Sequence, residues 1–327
     1  ILLLVDGHAI NDNVFGSATV GTEMGGIDPR TVERIEIVRG PGSSLYGANA
    51  MLAVINIISR EPKSMSPAQL HIESGTDGYM KGGAAFAKVL ENGVQLSIAG
   101  QASQIDGADL YYEQYDDPAT NQGVADDLDW DEFYNVQGMI KSRNLQIQGV
   151  WASREKGIPT GPWGVDFNDP DTWTMDNHAF LDAQYEHEFS ESQSTRARAY
   201  ANRYEYEGSW PTGGVDVQDA SDGRWYGLEL RHLWDARSNV RVVGGVGAER
   251  HSRADYRLWN DGVLDFTAEV EYELYSGYLQ ADVQPTGWLS LMLGGRVDDY
   301  STYDAALSPR AAMIVNPWSS SAVKLLY

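Results

Sequence analysis

Alternation of apolar and polar residues recurs along most of the chain after residue 67. In 289–298, leucine and valine alternate with serine, methionine, arginine and aspartate, and in 196–202 alanine alternates with arginine, tyrosine and asparagine. Because successive side chains of a β-strand point to opposite faces, a period of two repeated this often predicts strands. We count about 13 strands, of which the first lies near residues 68–75.

The links between these strands alternate in length. Tight links lie at 91–93, 142–144, 190–192, 235–238, 284–287 and 316–319, and longer polar links at 106–130, 157–177, 208–222 and 255–267. Short turns on one rim and long loops on the other are typical of outer-membrane barrels, as is one small or aliphatic strand face opposite a polar one. The pattern predicts a mainly β protein with a transmembrane antiparallel β-barrel; a soluble, carbohydrate-binding β-protein is the alternative.

Composition narrows the classes of protein. No cysteine is present, so disulfides and cysteine-bound metals are excluded. The net charge of -23 disfavours nucleic acid as a partner. Tryptophan and tyrosine, which favour membrane–water interfaces, number 10 and 18 against 7 phenylalanines. Some of them lie beside the tight links (Trp234, Trp288, Trp318) and others near the opposite strand ends (Tyr204, Tyr206, Tyr256, Trp259, Tyr300, Tyr303), as two aromatic girdles would.

Residues 1–63 follow a different pattern, in which short strands are separated by turns. An apolar run ends at Asp6-Gly7, a mixed strand covers 31–39, a glycine turn at 40–42 can open a short helix at Ser43 or Ser44, and 53–58 reads as a buried strand. A Pro/Ser-rich joint follows, which predicts two domains, 1–63 and 64–327. Both ends interrupt a pattern, so we interpret the chain as a fragment of a longer protein.

The segment 32–50, VERIEIVRGPGSSLYGANA, followed by AVINII at 53–58, resembles the plug-domain signature of TonB-dependent outer-membrane receptors. LLVDG at 3–7 resembles that family's apolar Asp-Gly element. One departure is Leu52-Ala53, where many members carry a glycine pair. The resemblance implies the C-terminal part of an α+β plug, followed by about 13 strands of a barrel of about 22.

The resemblance also implies a function. It implies TonB-dependent active uptake of a scarce, bulky nutrient across the bacterial outer membrane, most commonly a ferric siderophore or another iron complex. Cobalamin, haem or a glycan are alternatives, and a passive or structural barrel is an alternative of another class. The implied partners are TonB, through a plug segment preceding Ile1, outer-membrane lipid and lipopolysaccharide, and a bulky small-molecule ligand. No enzymatic activity, cofactor or metal is implied.

Structural or gating roles are predicted for the plug-signature residues. Arg39 is expected to enter the lumen and, by the resemblance, to pair with carboxylates of the barrel wall; glycines in the segment fit close approach or positive φ. The predicted set is Asp6, Gly7, Arg39, Gly40, Pro41, Gly42, Ser43, Leu45, Tyr46, Gly47, Asn49 and Asn56.

Aromatic residues in the long loops are the candidates for ligand contact, because a bulky ligand with apolar faces can stack on them. These candidates are Tyr111, Tyr112, Trp163, Trp173, Trp210 and Trp259, which could instead mark the outer aromatic girdle. The acidic segment 106–132 reads as a solvated loop, with a calcium site as the alternative. The six histidines are scattered, so no other metal site is predicted.

Overall fold

The computed structural model describes residues 1–17, 26–40, 42–318 and 320–327. In these ranges the chain forms a four-stranded sheet near its beginning, a 13-stranded sheet over the rest, and a two-stranded hairpin in one link. None of the described helices is long and apolar enough to cross a membrane. We name the two main sheets the plug sheet and the wall sheet.

The plug sheet has the strand order β2-β1-β4-β3. Its strands are β1 (Leu2–Val5), β2 (His8–Ala9), β3 (Val32–Arg39) and β4 (Ala53–Ser59). β1 is parallel to β4, and the other pairs are antiparallel. A 3-10 turn (Pro29–Thr31) precedes β3, and the connection to β4 contains helix α1 (Ser43–Tyr46) and a 3-10 turn (Ala48–Ala50).

The wall sheet is antiparallel, follows chain order and has β5 and β19 at its edges. Its strands, with the hairpin β8–β9 that lies outside the sheet, are β5 (Ala68–Ser74), β6 (Met80–Val89), β7 (Gln95–Ile105), β8 (Leu110–Tyr111), β9 (Val124–Ala125), β10 (Asp131–Lys141), β11 (Leu145–Gly157), β12 (Trp173–Ser190), β13 (Gln193–Ser209), β14 (Val217–Arg237), β15 (Val240–Asn260), β16 (Val263–Thr286), β17 (Leu289–Tyr300), β18 (Ala306–Trp318) and β19 (Ser321–Leu326). Further 3-10 turns are Pro62–Ser64, Glu113–Tyr115, Pro118–Gly123 and Pro162–Gly164.

The wall strands expose their apolar face and bury their polar face. Leu70 and Ile72 are each 86% exposed and Leu293 is 65% exposed, whereas Asp182 and Gln148 on the opposite face are buried. This is the reverse of a soluble protein, in which apolar side chains are inside. It is the arrangement of a barrel wall with lipid outside and a filled polar lumen. The predicted fold class is therefore confirmed, including the number of strands.

Two of the predicted long loops are wrong. The regions 208–222 and 255–267 are largely strand, because β13 to β16 are 17 to 24 residues long and turn only at 210–216 and 261–262. About 9–11 residues cross a bilayer, so these strands continue well beyond it. Their polar composition suggested loops, whereas the backbone ladder continues through them. The links 106–130 and 158–172 are long, as predicted.

The two sheets are joined through the turn at Pro62–Ser64. The boundary between residues 63 and 64 falls inside this turn and stays a prediction. Glu61 lies 2.6 Å from the Lys63 ammonium and accepts a hydrogen bond from Lys141 of β10. The two ammonium groups, Lys141 foremost, lower the pKa of Glu61 to about 2. The joint is thereby attached electrostatically to the wall.

The main apolar core is shared between plug and wall. Plug residues and two wall residues form one buried cluster, which contains Leu3, Val5, Ile10, Ile27, Ile57, Val150 and Phe180. Because the wall contributes directly to this core, burial of the plug residues in this cluster depends on the seating of the plug in the concave face of the wall.

Candidate functional site

The contact between the plug and the wall centres on the Asp6-Gly7 turn. Val5 pairs with His8 across the β1–β2 hairpin, so Asp6 and Gly7 are its two loop residues. Their φ angles are 49° and 77°, the left-handed values that Asp-Gly hairpin turns adopt. The Asp6 carboxylate accepts from the Ser59 amide at 2.9 Å, and the Gly7 amide donates to Asn56 Oδ1 at 3.0 Å. The fold thus brings together three residues of the predicted plug set.

Arg198 of β13 binds the outward-facing carbonyls of this turn. Its Nη2 donates to the Asp6 carbonyl at 2.8 Å and its Nη1 to the Gly7 carbonyl. Its Nε lies 3.1 Å from Asp182 Oδ1, and the two side chains are 8% and 0% exposed. Arg198 is not among the residues predicted from the sequence, although its place on the polar face of an alternating strand was an available signal.

His8 is the second buried polar contact. Its Nε2 lies 2.9 Å from Asn202 Oδ1, and its ring packs 4.8 Å from that of Phe180 and 4.9 Å from that of Tyr200. Burial lowers the pKa of His8 to about 4, although Asp182 opposes the shift. The imidazole is therefore neutral near neutral pH. Burial also raises the pKa of Asp6.

Seating of the plug is expected to weaken in acid through His8. The unfolded histidine binds a proton below its ordinary pKa of 6.5, whereas the folded one does so only below about 4. The free energy of unfolding decreases as the pH falls through the range in which only the unfolded histidine binds a proton. This decrease begins near pH 6.5 and is complete near pH 4, and its upper bound is about 3 kcal/mol. Urea unfolding of the protein at about pH 7 and about pH 4.5 measures this loss. His8→Gln should reduce the difference between the two pH values, and an unchanged difference would contradict this origin.

A further wall arginine contacts α1 and the glycine that follows it. Arg296 of β17 donates from Nη1 to the Leu45 carbonyl at 3.3 Å and pairs through Nε with Asp298 Oδ1 at 2.7 Å. Gly47 has a φ of 84°, and a Cβ there would lie 3.4 Å from Arg296 Nη2. Close approach of the guanidinium and the left-handed backbone both favour glycine at this position.

The rest of the predicted plug set is more dispersed. Arg39 is exposed at the end of β3, and in the described part of the chain it forms no ion pair. Gly40 has a φ of 95°, and a Cβ on Gly42 would lie 3.1 Å from Val54 Cγ2. Asn49 is exposed and Tyr46 is 42% exposed. Pro41 and the side chain of Ser43 lie outside what the structure describes.

A cavity of about 430 Å³ lies between the plug and the wall beside the Asp6-Gly7 turn. Its plug side includes Asp6, Gly7, His8 and Tyr46, and its wall side includes Arg196, Arg198, Glu229, Arg231, Glu249 and Arg296. The charged lining makes it a space that holds water.

An aromatic cluster fills the outer end of the plug–wall contact. Asp12 accepts from the amides of Val14 and Ser17, each at 2.9 Å, and so shapes the loop that carries Phe15. The Phe15 ring lies edge-on to three wall rings at centroid distances of 5.5 to 6.3 Å, those of Tyr204, Tyr206 and Tyr256. Tyr204 and Tyr206 are buried, so the interpretation of these two as outer-girdle residues is wrong.

The ligand-contact candidates lie on the rim with the long links. Trp163 is 87% exposed and packs edge-on against Trp210 at 5.0 Å, while Trp210 Nε1 donates to Asp219 at 2.8 Å. Tyr111 is in β8, and Tyr112 packs on Phe167 at 5.9 Å. Two candidates belong to strands of the wall sheet and not to the links, Trp173 at the start of β12 and Trp259 in β15.

Hydrogen bonds tie three of these links together. The Tyr115 hydroxyl donates to the Gly161 carbonyl at 3.2 Å, and the Asp126 amide donates to Asn168 Oδ1 at 2.9 Å. Asp166 accepts from the Gly213 amide at 3.1 Å. The rim is therefore a connected surface. Across the described ranges, no group of three acidic or histidine side chains is placed to hold a metal ion, the acidic segment 106–132 included.

The fold and site together define a plugged transmembrane β-barrel. The family model for the TonB-dependent receptor plug domain matches residues 1–54, and that for the TonB-dependent receptor-like β-barrel matches residues 100–324. The second match covers more than half of the chain, so the chain belongs to the TonB-dependent receptor family. The family and the fold are those of outer-membrane receptors and transporters.

Individual relatives are similar to this chain over part of their own length. The vitamin B12 transporter BtuB of Vibrio vulnificus is 32% identical over 110 residues, 34% of this chain and 17% of that protein. The ferrichrome outer membrane transporter/phage receptor of Escherichia coli is 25% identical over 183 residues, 52% of this chain and 24% of that protein. The siderophore receptor PirA of Acinetobacter baumannii superposes with a TM-score of 0.69 at 16% identity, over 99% of this chain and 52% of that one. The chain thus spans about half the length of this solved structure.

Proposed function

We propose that the protein of which this chain forms part takes up a scarce, bulky nutrient across the bacterial outer membrane, driven through TonB. The observation that carries this proposal is the plug, whose Asp6-Gly7 turn is held in the concave wall by Arg198 and His8, both buried. A passive pore gains nothing from an obstruction bound this firmly, whereas an energised receptor needs a barrier that opens only when driven. TonB, outer-membrane lipid and lipopolysaccharide are the proposed partners.

A ferric siderophore or another iron complex is the proposed substrate. It is supported by structural neighbours that are siderophore receptors, among them PirA of Acinetobacter baumannii. The curated relatives include both a vitamin B12 transporter and a ferrichrome transporter, so cobalamin is a specific second candidate. Haem and glycans are also bulky nutrients and are the remaining alternative substrates.

Quantitative proteomics of the outer-membrane fraction, with and without an iron chelator, tests the proposal. We expect the protein in that fraction and an increase under chelation. Deletion of its gene should then reduce uptake of radiolabelled iron supplied as the iron complexes that the culture itself produces. In cells that lack TonB this uptake should already be lost, so deletion should have no further effect there. Presence without an increase would favour cobalamin or another nutrient. Absence from the fraction would contradict the proposal.

The exposed aromatic rim is the proposed outer contact for that ligand. Trp163 stands almost fully exposed on a loop that is hydrogen-bonded to its neighbours, so a flat apolar ligand face can stack there at little entropic cost. The plug-signature residues are proposed to position and gate the plug and not to contact ligand.

Trp163→Ala is expected to weaken binding of the transported complex about tenfold, because loss of one stacking ring costs about 1–1.5 kcal/mol. Equilibrium binding to the purified full-length receptor measures it. Trp318→Ala is the matched control, since Trp318 is 64% exposed but ends β18 at the rim with tight turns. Equal weakening by both substitutions would contradict a ligand role for Trp163.

A further inference from the structure

The Asp6-Gly7 turn presents two consecutive backbone carbonyls to the wall. Its left-handed backbone directs both carbonyls to the Arg198 guanidinium rather than into the plug sheet. Gln184 Nε2 also donates to the Asp6 carbonyl, at 3.2 Å. Asp6 and Gly7 are half-buried and line the charged cavity, so a carbonyl that loses the guanidinium exchanges a charge-assisted hydrogen bond for a weaker one to water.

Arg198 is itself held in place from behind. Asp182 is fully buried, pairs with its Nε, and accepts from Gln148 at 3.2 Å and from Gln184 at 2.7 Å. The planar guanidinium can therefore bind the carboxylate and both carbonyls at once, which a lysine ammonium cannot do with the same geometry. A Cβ on Gly7 would lie 3.2 Å from Arg198 Nη2, so the turn and the guanidinium are closely fitted.

We propose that Arg198 is a positioning residue that anchors the plug to the barrel wall and sets its resistance to displacement. The charged cavity begins at the same turn, so water can enter as the anchor parts, and displacement of the plug starts there. The inference rests on the proposed function only for its consequence in transport. The seating itself is measurable without ligand or TonB.

The test is hydrogen–deuterium exchange of the full-length receptor in lipid nanodiscs, followed over residues 5–9. Arg198→Gln is expected to accelerate exchange there at least tenfold, while Arg198→Lys gives an intermediate rate. Arg241→Gln is the matched control, because the Arg241–Asp235 pair is 57% and 35% exposed beside a tight turn. The double variant R198Q/D182N removes both charges of the buried pair. If R198Q alone fails to fold, exchange over residues 5–9 in the double variant tests the proposal instead.

A second readout separates anchoring from general stability. In cells lacking TonB, R198Q should admit a hydrophilic antibiotic too large for general porins, with at least a fourfold drop in inhibitory concentration, and R241Q should not. Unchanged exchange over residues 5–9 in folded R198Q and in R198Q/D182N would overturn the anchor, even if iron uptake by the wild type is found. Faster exchange without any iron uptake by the wild type would instead overturn only the proposed substrate.

Discussion

Gly26→Ala in the full-length receptor is expected to unseat the plug. Gly26 has a φ of 79°, and a Cβ there would lie 2.4 Å from the Cβ of Ala152 in β11. Left-handed backbone costs about 1–2 kcal/mol for alanine, and overpacking against a wall strand adds about 1–3 kcal/mol. The Gly26 carbonyl also accepts from Asn135 Nδ2 at 2.7 Å, a bond that a displaced backbone would lose. The expected total is about 2–5 kcal/mol.

Gly16→Ala separates the cost of the left-handed backbone from the cost of overpacking against β11. Gly16 also lies in the plug and has a φ of 68°, but no atom of the described residues lies within 4 Å of the position that its Cβ would take. It should therefore cost only the backbone term, about 1–2 kcal/mol. Urea unfolding, followed with a fluorophore on the plug, compares them. Equal losses for the two variants would show that contact with Ala152 does not limit the seating of the plug.

The barrel was predictable from the sequence because the alternation of apolar and polar residues is repeated in one strand after another. Alternation depends only on the period of a strand, and each new strand adds an independent instance of it. The ends of β13 to β16 were not predictable, because residues such as Asp219, Asp222 and Asp265 look like loop residues. Their ladder is maintained by cross-strand pairing, which is a tertiary property.

The plug site was predictable only in part. Asp6-Gly7 could be identified as a turn because the sequence encodes its local backbone preference. Its partner Arg198 lies 191 residues away from Gly7, and no local preference encodes a contact at that separation. On the sequence alone Arg198 resembles Arg196, two residues away on the same strand face, yet the Arg196 side chain is 31% exposed and pairs with Glu186 of the neighbouring strand. Only the docked plug distinguishes them.

Charge burial is therefore concentrated where the plug meets the wall. The surface pairs of this chain, such as Arg241–Asp235, resemble those of any soluble protein and contribute little to stability. The buried pairs Arg198–Asp182 and Arg296–Asp298 both contact plug backbone carbonyls. A buried ion pair provides fixed geometry more than stability, and a plug that must occupy one position and still be removable needs such geometry.

Arg296→Met is expected to destabilise the full-length receptor by about 3–5 kcal/mol, because it leaves a buried carboxylate without its partner. The Arg296 and Asp298 side chains are 10% and 4% exposed, and the Leu45 carbonyl would lose its donor as well. Arg241→Met, at the exposed pair, should cost at most about 1 kcal/mol. Urea unfolding midpoints in detergent measure both.

The double variant R296M/D298N gives the sharper comparison. Removing the second charge should recover part of the loss caused by R296M, since the cost arises from an unpaired ion and not from a missing attraction. Full additivity of the two substitutions, or a loss in R296M no greater than in R241M, would show that the pair is effectively solvated. The plug segment around Gly47 would then be held by packing alone.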